Sequence, residues 1–183
     1  PYRFAPRLAA THVFEVDFPP TQEYKKKRVK EVVGSLPAHV RYVPIDFTKD
    51  DLKAVLEAAG YDRRRKTIFV WEGVTFYIPE AAVDATLRFV AGNSGTGSRI
   101  VFDYFLASTL KTPHAPLKDV MDRLEAVKEP MIFGLPDEDR QGFITRRGLT
   151  VVSDIHMSEL RARYLPAPEA NAVPELAKAG SYI

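Results

Sequence analysis

Short runs rich in β-branched and aromatic residues alternate along this chain with stretches of helical period. That is the pattern of an α/β sheet with crossover helices. Residues 11–17 (THVFEVD) read as a strand that ends at Pro19-Pro20. Residues 22–33 follow as a helix with Tyr24, Val29, Val32 and Val33 as its apolar positions and Gly34 as its terminator. Residues 39–43 form a second strand. Residues 50–59 form a helix whose Leu52, Val55, Leu56 and Ala59 share one face before Gly60. The run 66–71 (KTIFVW) is continuously apolar and reads as a strand buried on both faces. Residues 79–91 are helical, with Pro79 in the first turn and Val83, Leu87 and Val90 facing inward. A Gly/Ser turn at 92–98 leads to a strand at 99–104.

The second half is less regular. Residues 105–116 hold His114 between two prolines, and helices are expected at 117–128 and 137–147 around a Pro/Gly loop. Residues 149–154 (LTVVSD) look like a later strand and 157–164 like a short helix. An irregular Ala/Pro-rich tail at 166–180 precedes a final strand at 181–183. No internal repeat or low-complexity segment interrupts this, so residues 1–183 are read as one domain.

Composition narrows the class without naming a function. An apolar share of 45% and a charged share of 27% over 183 residues suit a globular domain with a sizeable core. Twenty-six basic against 24 acidic side chains leave +2, which calls for neither nucleic acid nor a membrane surface as partner. The run Lys25-Lys26-Lys27-Arg28 lies on a predicted helix with Glu23 and Glu31 beside it, and reads as a solvated face. No cysteine is present, which excludes disulfides and thiolate metal sites and suits a cytoplasmic setting. His12, His39 and His156 lack metal-ligand spacing. The apolar runs are too short to span a bilayer. The chain opens at Pro1 without an initiator Met, so the lack of a leader carries no weight.

The chemistry lies where strands end. Asp17, Asp46 and Glu72 each stand at or just beyond the end of a predicted strand. In open α/β sheets, ligands occupy the crevice outside the carboxyl ends of the strands. Acids there can accept hydrogen bonds from a ribose diol, an adenine amine or an ammonium, all of which S-adenosylmethionine carries. Asp also caps helices and opens turns, a role open to Asp46 (two residues before Thr48) and to Asp50. Glu72 suits that role least, because Glu is a poor N-cap and follows a fully apolar strand.

Several blocks, in order along the chain, make it similar to the leucine carboxyl methyltransferase family. Phe14-Glu15-Val16-Asp17-Phe18-Pro19, with Lys26 or Lys27 in the following helix, resembles one family block, and Val43-Pro44-Ile45-Asp46-Phe47 resembles the next. Phe69-Val70-Trp71-Glu72-Gly73-Val74-Thr75-Phe76-Tyr77-Ile78 is the most specific match. Gly97-Ser98-Arg99-Ile100-Val101-Phe102-Asp103-Tyr104 is a further one, and residues 161–165 (RARYL) resemble the bacterial branch. The resemblance implies a Rossmann-like class I methyltransferase sheet with helices on both faces and S-adenosyl-L-methionine as cofactor. Pro1-Tyr2-Arg3-Phe4 resembles the tail of the family's glycine-rich turn, and counting back from Asp17 places that turn before Pro1. The expectation is therefore the C-terminal part of a methyltransferase, with the first strand and glycine-rich turn absent from this chain.

By resemblance, Asp17 holds the ribose hydroxyls, Asp46 and Phe47 flank the adenine, and Glu72 faces the methionine end. The implied activity is O-methyl transfer to a carboxylate or hydroxyl of a small metabolite. A carboxylate acceptor needs no base, whereas a hydroxyl would want one. His114 is the candidate base, against the simpler reading of a surface-loop histidine. Tyr77 and Tyr104 are candidate pocket walls, against plain packing. Arg3 is a candidate partner for a carboxylate. Two other classes stay open: a non-catalytic binding module on a Rossmann-like sheet that lost the cofactor turn, and a nicotinamide-dependent oxidoreductase. The methyl acceptor and the oligomeric state are not legible in the sequence.

Overall fold

A computed structural model of the chain describes Tyr2, residues 4–165 and residues 180–183. It divides into two compact units, Pro1–Arg63 and Arg64–Ile183. Arg3 and most of the expected irregular tail lie outside the described residues.

The first unit is built on one βαβ arrangement. After a single helical turn, α1 (Ala5–Leu8), come β1 (Val13–Asp17), α2 (Pro19–Val33), β2 (Val40–Pro44) and α3 (Leu52–Ala58). Strands β1 and β2 pair in parallel from Val13↔Val40 to Asp17↔Pro44, so their carboxyl ends coincide. Helix α2 starts earlier than the sequence pattern suggests, because Pro19 and Pro20 occupy its first turn. There their missing N–H groups cost nothing and their fixed φ is already helical. Gly34, at φ +87°, ends the helix by donating its N–H to the Lys30 carbonyl, a conformation that favours glycine.

The apolar face expected of α2 is corrected. Val29 is buried, but Tyr24, Val32 and Val33 are exposed, and the other buried position is Gln22. Gln22 and Val29 lie two turns apart on one face. From that face Gln22 Nε2 donates to the Glu15 carbonyl on β1 at 2.9 Å. A polar residue thus holds the helix to its strand at a position that a hydrophobic count passes over. The basic run on this helix is largely ion-paired: Lys25 with Glu15, Lys26 with Glu23 and Arg28 with Glu31. Helix α3 starts one residue after Asp51, whose side chain caps it by accepting from Ala54 N.

The second unit holds β3 (Ile68–Trp71), a 3-10 turn (Thr75–Tyr77), α4 (Glu80–Gly92) and β4 (Arg99–Tyr104). Then follow α5 (Ala107–Lys111), α6 (Ala115–Ala126), α7 (Arg140–Thr145), β5 (Ile155–His156), α8 (Met157–Tyr164) and β6 (Ser181–Tyr182). The sheet order is β3-β4-β6-β5, parallel between β3 and β4 and antiparallel across β6. Helix α4 buries Val83, Leu87 and Val90 as its period predicts, and Phe89 meets Phe69 of β3 edge to face.

Three further expectations are corrected here. The KTIFVW strand is not buried on both faces: Ile68 and Val70 are 72% and 64% exposed, while Trp71 is buried. Only the face carrying Phe69 and Trp71 is covered, since side chains alternate along a strand. The strand expected at 149–154 is irregular, and pairing begins only at Ile155–His156, where β6 offers a partner. The helix expected at 137–147 shortens to α7, with Asp139 accepting from Gly142 N at its start. Beyond it, Arg147 lies over the Phe143 ring at 3.4 Å and pairs with Asp84 on α4 at 2.9 Å, fastening this segment to the helix.

Leu87 is fully buried, so Leu87→Ala is expected to cost about 2–5 kcal/mol by leaving a cavity. Val32→Ala, at an exposed site, should stay within about 0.5 kcal/mol. Urea unfolding of the two variants beside the parent checks both.

Candidate functional site

Within the first unit, Asp17 closes β1 beside Pro44 of β2, and Ile45 N donates to the Asp17 carbonyl at 2.9 Å. The paired strands therefore run out together, leaving the half-exposed Asp17 carboxylate at their carboxyl end. Its Oδ1 accepts from the N–H of the next residue, Phe18, at 2.8 Å. Among the described residues no Lys or Arg pairs with it.

Asp46, two residues beyond β2, is differently engaged. Its Oδ1 accepts from both the N–H and the hydroxyl of Thr48, at 3.0 and 2.6 Å. Its Oδ2 pairs with Lys49 at 2.7 Å. The Lys49 bond, followed by the Thr48 bonds, pulls its carboxyl down to about 2. Much of the hydrogen-bonding capacity of Asp46 goes to its own turn, the alternative the sequence already offered. Phe47 is half-buried beside it.

Within the second unit, the parallel register from Ile68↔Arg99 to Trp71↔Phe102 continues by one residue to place Glu72 alongside Asp103. Asp103 is in turn the cross-strand partner of Tyr182 on β6. Three polar side chains thus form one row across three adjacent strands, at the carboxyl ends of β3 and β4. The Tyr182 hydroxyl donates to Glu72 Oε1 at 3.2 Å, and Gly73 N donates to Asp103 Oδ1 at 2.8 Å. Gly73, at φ +67°, turns the chain out of β3 in a conformation that suits glycine, and nothing lies within 4 Å of where its Cβ would stand. Glu72 is exposed, and no Lys or Arg pairs with it among the described residues.

Burial, opposed by the Gly73 bond and aided by the charge of Glu72, raises the Asp103 carboxyl above the usual range. The Tyr182 hydroxyl is pushed up to about 12, by burial first and then by Glu72 and Asp103. Tyr77, whose ring lies tilted against that of Phe76 with centroids 4.6 Å apart, is likewise raised by burial and by the charges of Glu129 and Asp103. Asp103 thus interacts electrostatically with both Glu72 and Tyr77.

Tyr104 and His114 have other occupations. Tyr104, one residue on from Asp103, points to the opposite face of the sheet and is 2% exposed. Its hydroxyl donates to Asp154 at 2.7 Å, and burial together with that carboxylate pushes it up to about 12. His114 is an exposed N-cap of α6, its Nδ1 accepting from Leu117 N at 3.4 Å. A ring that accepts through Nδ1 carries its proton on Nε2 when neutral.

Asp103 and Tyr182 were not singled out from the sequence as site residues. Asp103 carries the signal that marked Glu72, an acid late in an apolar strand. Tyr182 carries none, because 110 residues separate it from the side chain it touches. Among the described residues, no three His, Asp or Glu side chains are placed to hold a metal ion. No described helix is long and apolar enough to cross a membrane.

The fold is Rossmann-like α/β, and solved structures share it. A DUF574-family protein from Streptomyces avermitilis superposes with a TM-score of 0.60 at 15% identity, over 96% of this chain and 66% of that one. The family model "Leucine carboxyl methyltransferase" matches residues 1–91. A relative from Mycobacteroides abscessus, provisionally named an S-adenosyl-L-methionine-dependent methyltransferase, is 29% identical over 90% of this chain and 56% of its own. One of the same provisional name from Mycolicibacterium paratuberculosis is 31% identical over 88% of this chain and 52% of its own. The chain belongs to the leucine carboxyl methyltransferase family. It spans about half the length of these curated relatives.

The raised Asp103 carboxyl gives a stability prediction with a definite sign. An acid whose folded pKa lies above its unfolded value of about 3.9 contributes stability in acid that is lost as pH rises through the folded value. Asp103→Asn keeps an oxygen for Gly73 N but does not titrate. Its stability relative to the parent should therefore climb as pH goes from about 4 to 7. Urea unfolding across that range checks it, and a relative stability that falls with pH would contradict the assignment.

Proposed function

We propose that the protein carrying this chain is an S-adenosyl-L-methionine-dependent O-methyltransferase acting on a carboxylate or hydroxyl of a small metabolite. The observation that carries this reading, beside the family membership, is the contrast among the strand-end acids. Asp17 and Glu72 stand at carboxyl ends of parallel strands without a basic partner among the described residues, whereas Asp46 is bound to Lys49. A carboxylate left without internal counter-charge at such a position suits a ligand that brings hydroxyl donors or positive charge. The relatives named above as S-adenosyl-L-methionine-dependent methyltransferases support that choice of ligand.

When bound, S-adenosyl-L-methionine supplies a methyl group on a positively charged sulfonium. The tasks left to the protein are positioning and exclusion of water, worth up to about 7–11 kcal/mol for well-oriented reactants. By family resemblance Asp17 accepts from the ribose hydroxyls, Asp46 and Phe47 flank the adenine, and Glu72 faces the methionine end. In the second unit Glu72 and Asp103 give their strand ends a negative field that favours a cationic group. Tyr77 is proposed as a wall for the acceptor, in the neighbourhood of Asp103. Tyr104, buried and committed to Asp154, contributes from beneath by fixing the strand that carries Asp103. A carboxylate acceptor fits best with His114 as found, since an acceptor that is already ionised needs no base.

In the full gene product, Asp17→Ala and Glu72→Ala are each expected to weaken S-adenosyl-L-methionine binding tenfold or more. Each removes charge-assisted hydrogen bonds worth about 1.5–3 kcal/mol. Titration calorimetry measures this, and parental affinity in both variants would sink the site assignment. A screen of carboxylic and hydroxylic metabolites with methyl-labelled cofactor tests the reaction. Absence of cofactor binding together with no acceptor labelled would favour the non-catalytic module that has lost the cofactor turn instead.

A further inference from the structure

We infer that Tyr182, on the last strand of the second unit, is a positioning residue for Glu72. This rests on the proposed role of Glu72 at the cofactor. Glu72 lies one residue beyond the end of β3, where the chain turns at Gly73, and its side chain is exposed. A glutamate at such a place has three side-chain torsions to settle, and ordering it costs free energy that a ligand must otherwise supply. Among the described residues, the Tyr182 hydroxyl donates to its Oε1 at 3.2 Å.

Tyr182 is itself well held. Its backbone is paired on both sides, with Asp103 of β4 and with Ile155 of β5. Next along, Ile183 N donates to the Phe102 carbonyl at 3.0 Å, and Phe102 N donates to the Ile183 carbonyl at 2.9 Å. A phenol has only two ring torsions beyond its hydroxyl rotor, so a tyrosine on a strand anchored at three points is a stiff support. Its hydroxyl, pushed up to about 12 by burial first, keeps its proton near neutral pH. The bond therefore points one way: Tyr182 donates and Glu72 accepts through Oε1. Oε2 and the second lone pair of Oε1 are left to face a ligand.

The residue acts through Glu72, and that separates it from a merely structural tyrosine. Tyr182→Phe keeps the ring and its packing and removes only the donor. In the full gene product it is expected to weaken S-adenosyl-L-methionine binding about 3–10-fold, a modest share of what a hydrogen bond to a charged group is worth. In a Glu72→Gln background, where the charge is already gone, the same change should alter affinity less than about 2-fold, the signature of coupled residues in a double-mutant cycle. Melting curves of all four proteins accompany the calorimetry, because Tyr182→Phe should leave the transition where the parent has it. Parental affinity in Tyr182→Phe while Glu72→Gln is weakened would overturn this inference and leave the reading of Glu72 standing. An equal loss in both backgrounds would overturn it too, by showing that Tyr182 acts elsewhere. Parental affinity in Glu72→Gln would remove the reading of Glu72 itself and this inference with it.

Discussion

The parallel register of β3 and β4 is the constraint from which the candidate chemistry of the second unit follows. Because Trp71 pairs with Phe102, the next residue on each strand is an acid, and both acids arrive at the same edge together. Gly73 then fixes where β3 stops, by turning out of the strand and giving its N–H to Asp103. Slipping the register by one residue would turn every side chain of the strand to the other face. Trp71 would leave the covered face and Glu72 would enter it, so the packing of Trp71 against Phe102 and the placing of Glu72 are one requirement.

Much of the architecture was legible because it obeys local rules. The α4 stripe of Val83, Leu87 and Val90 has the period of a helix laid on a sheet, and it is buried. The strand at Arg99–Tyr104 lies where its composition placed it. The failures share a cause: each depended on what covers or pairs with the element. Ile68 and Val70 belong to an apolar run, but apolarity alone does not say that a second layer lies over both faces. LTVVSD has strand composition, yet ladder pairing starts at Ile155, opposite Tyr182 of β6. In α2 the inward face was misread because Gln22, a polar residue, makes the link to the strand.

The candidate site was legible to the same depth. An acid at the end of an apolar strand is a visible signal, and it drew attention to Asp17, Asp46 and Glu72. Composition could not show which of them the fold had already satisfied. Asp46 is held by Thr48 and Lys49, two and three residues away, so its engagement was latent in the local sequence. Among the described residues, neither Asp17 nor Glu72 has a side-chain partner so near in the sequence. Asp103 carried the same visible signal within a run that looked like ordinary strand, and its partner Tyr182 comes from a strand at the far end of the chain. Long-range pairing of that kind leaves no trace in spacing.

The energetic cost of the Glu72–Asp103 row argues that it is more than packing. Asp103 is raised above the usual carboxylate range by its burial first, and the charge of Glu72 beside it adds to that. A purely structural row would gain by replacing one acid with an amide, which keeps the bond to Gly73 without the charge. Several other acids in this unit are neutralised: Asp84 by Arg88 and Arg147, Asp122 by Lys118, Asp139 by Arg146. Among the described residues, Glu72 and Asp103 have no basic partner at the strand ends. Strain held at one place, where the remainder of the unit over-determines the fold, is how binding sites are commonly prepared for a ligand that relieves it. A positively charged ligand would relieve this one. The stability sacrificed at the strand ends and the affinity proposed for a sulfonium cofactor then have a single origin, the uncompensated negative charge of Glu72 and Asp103.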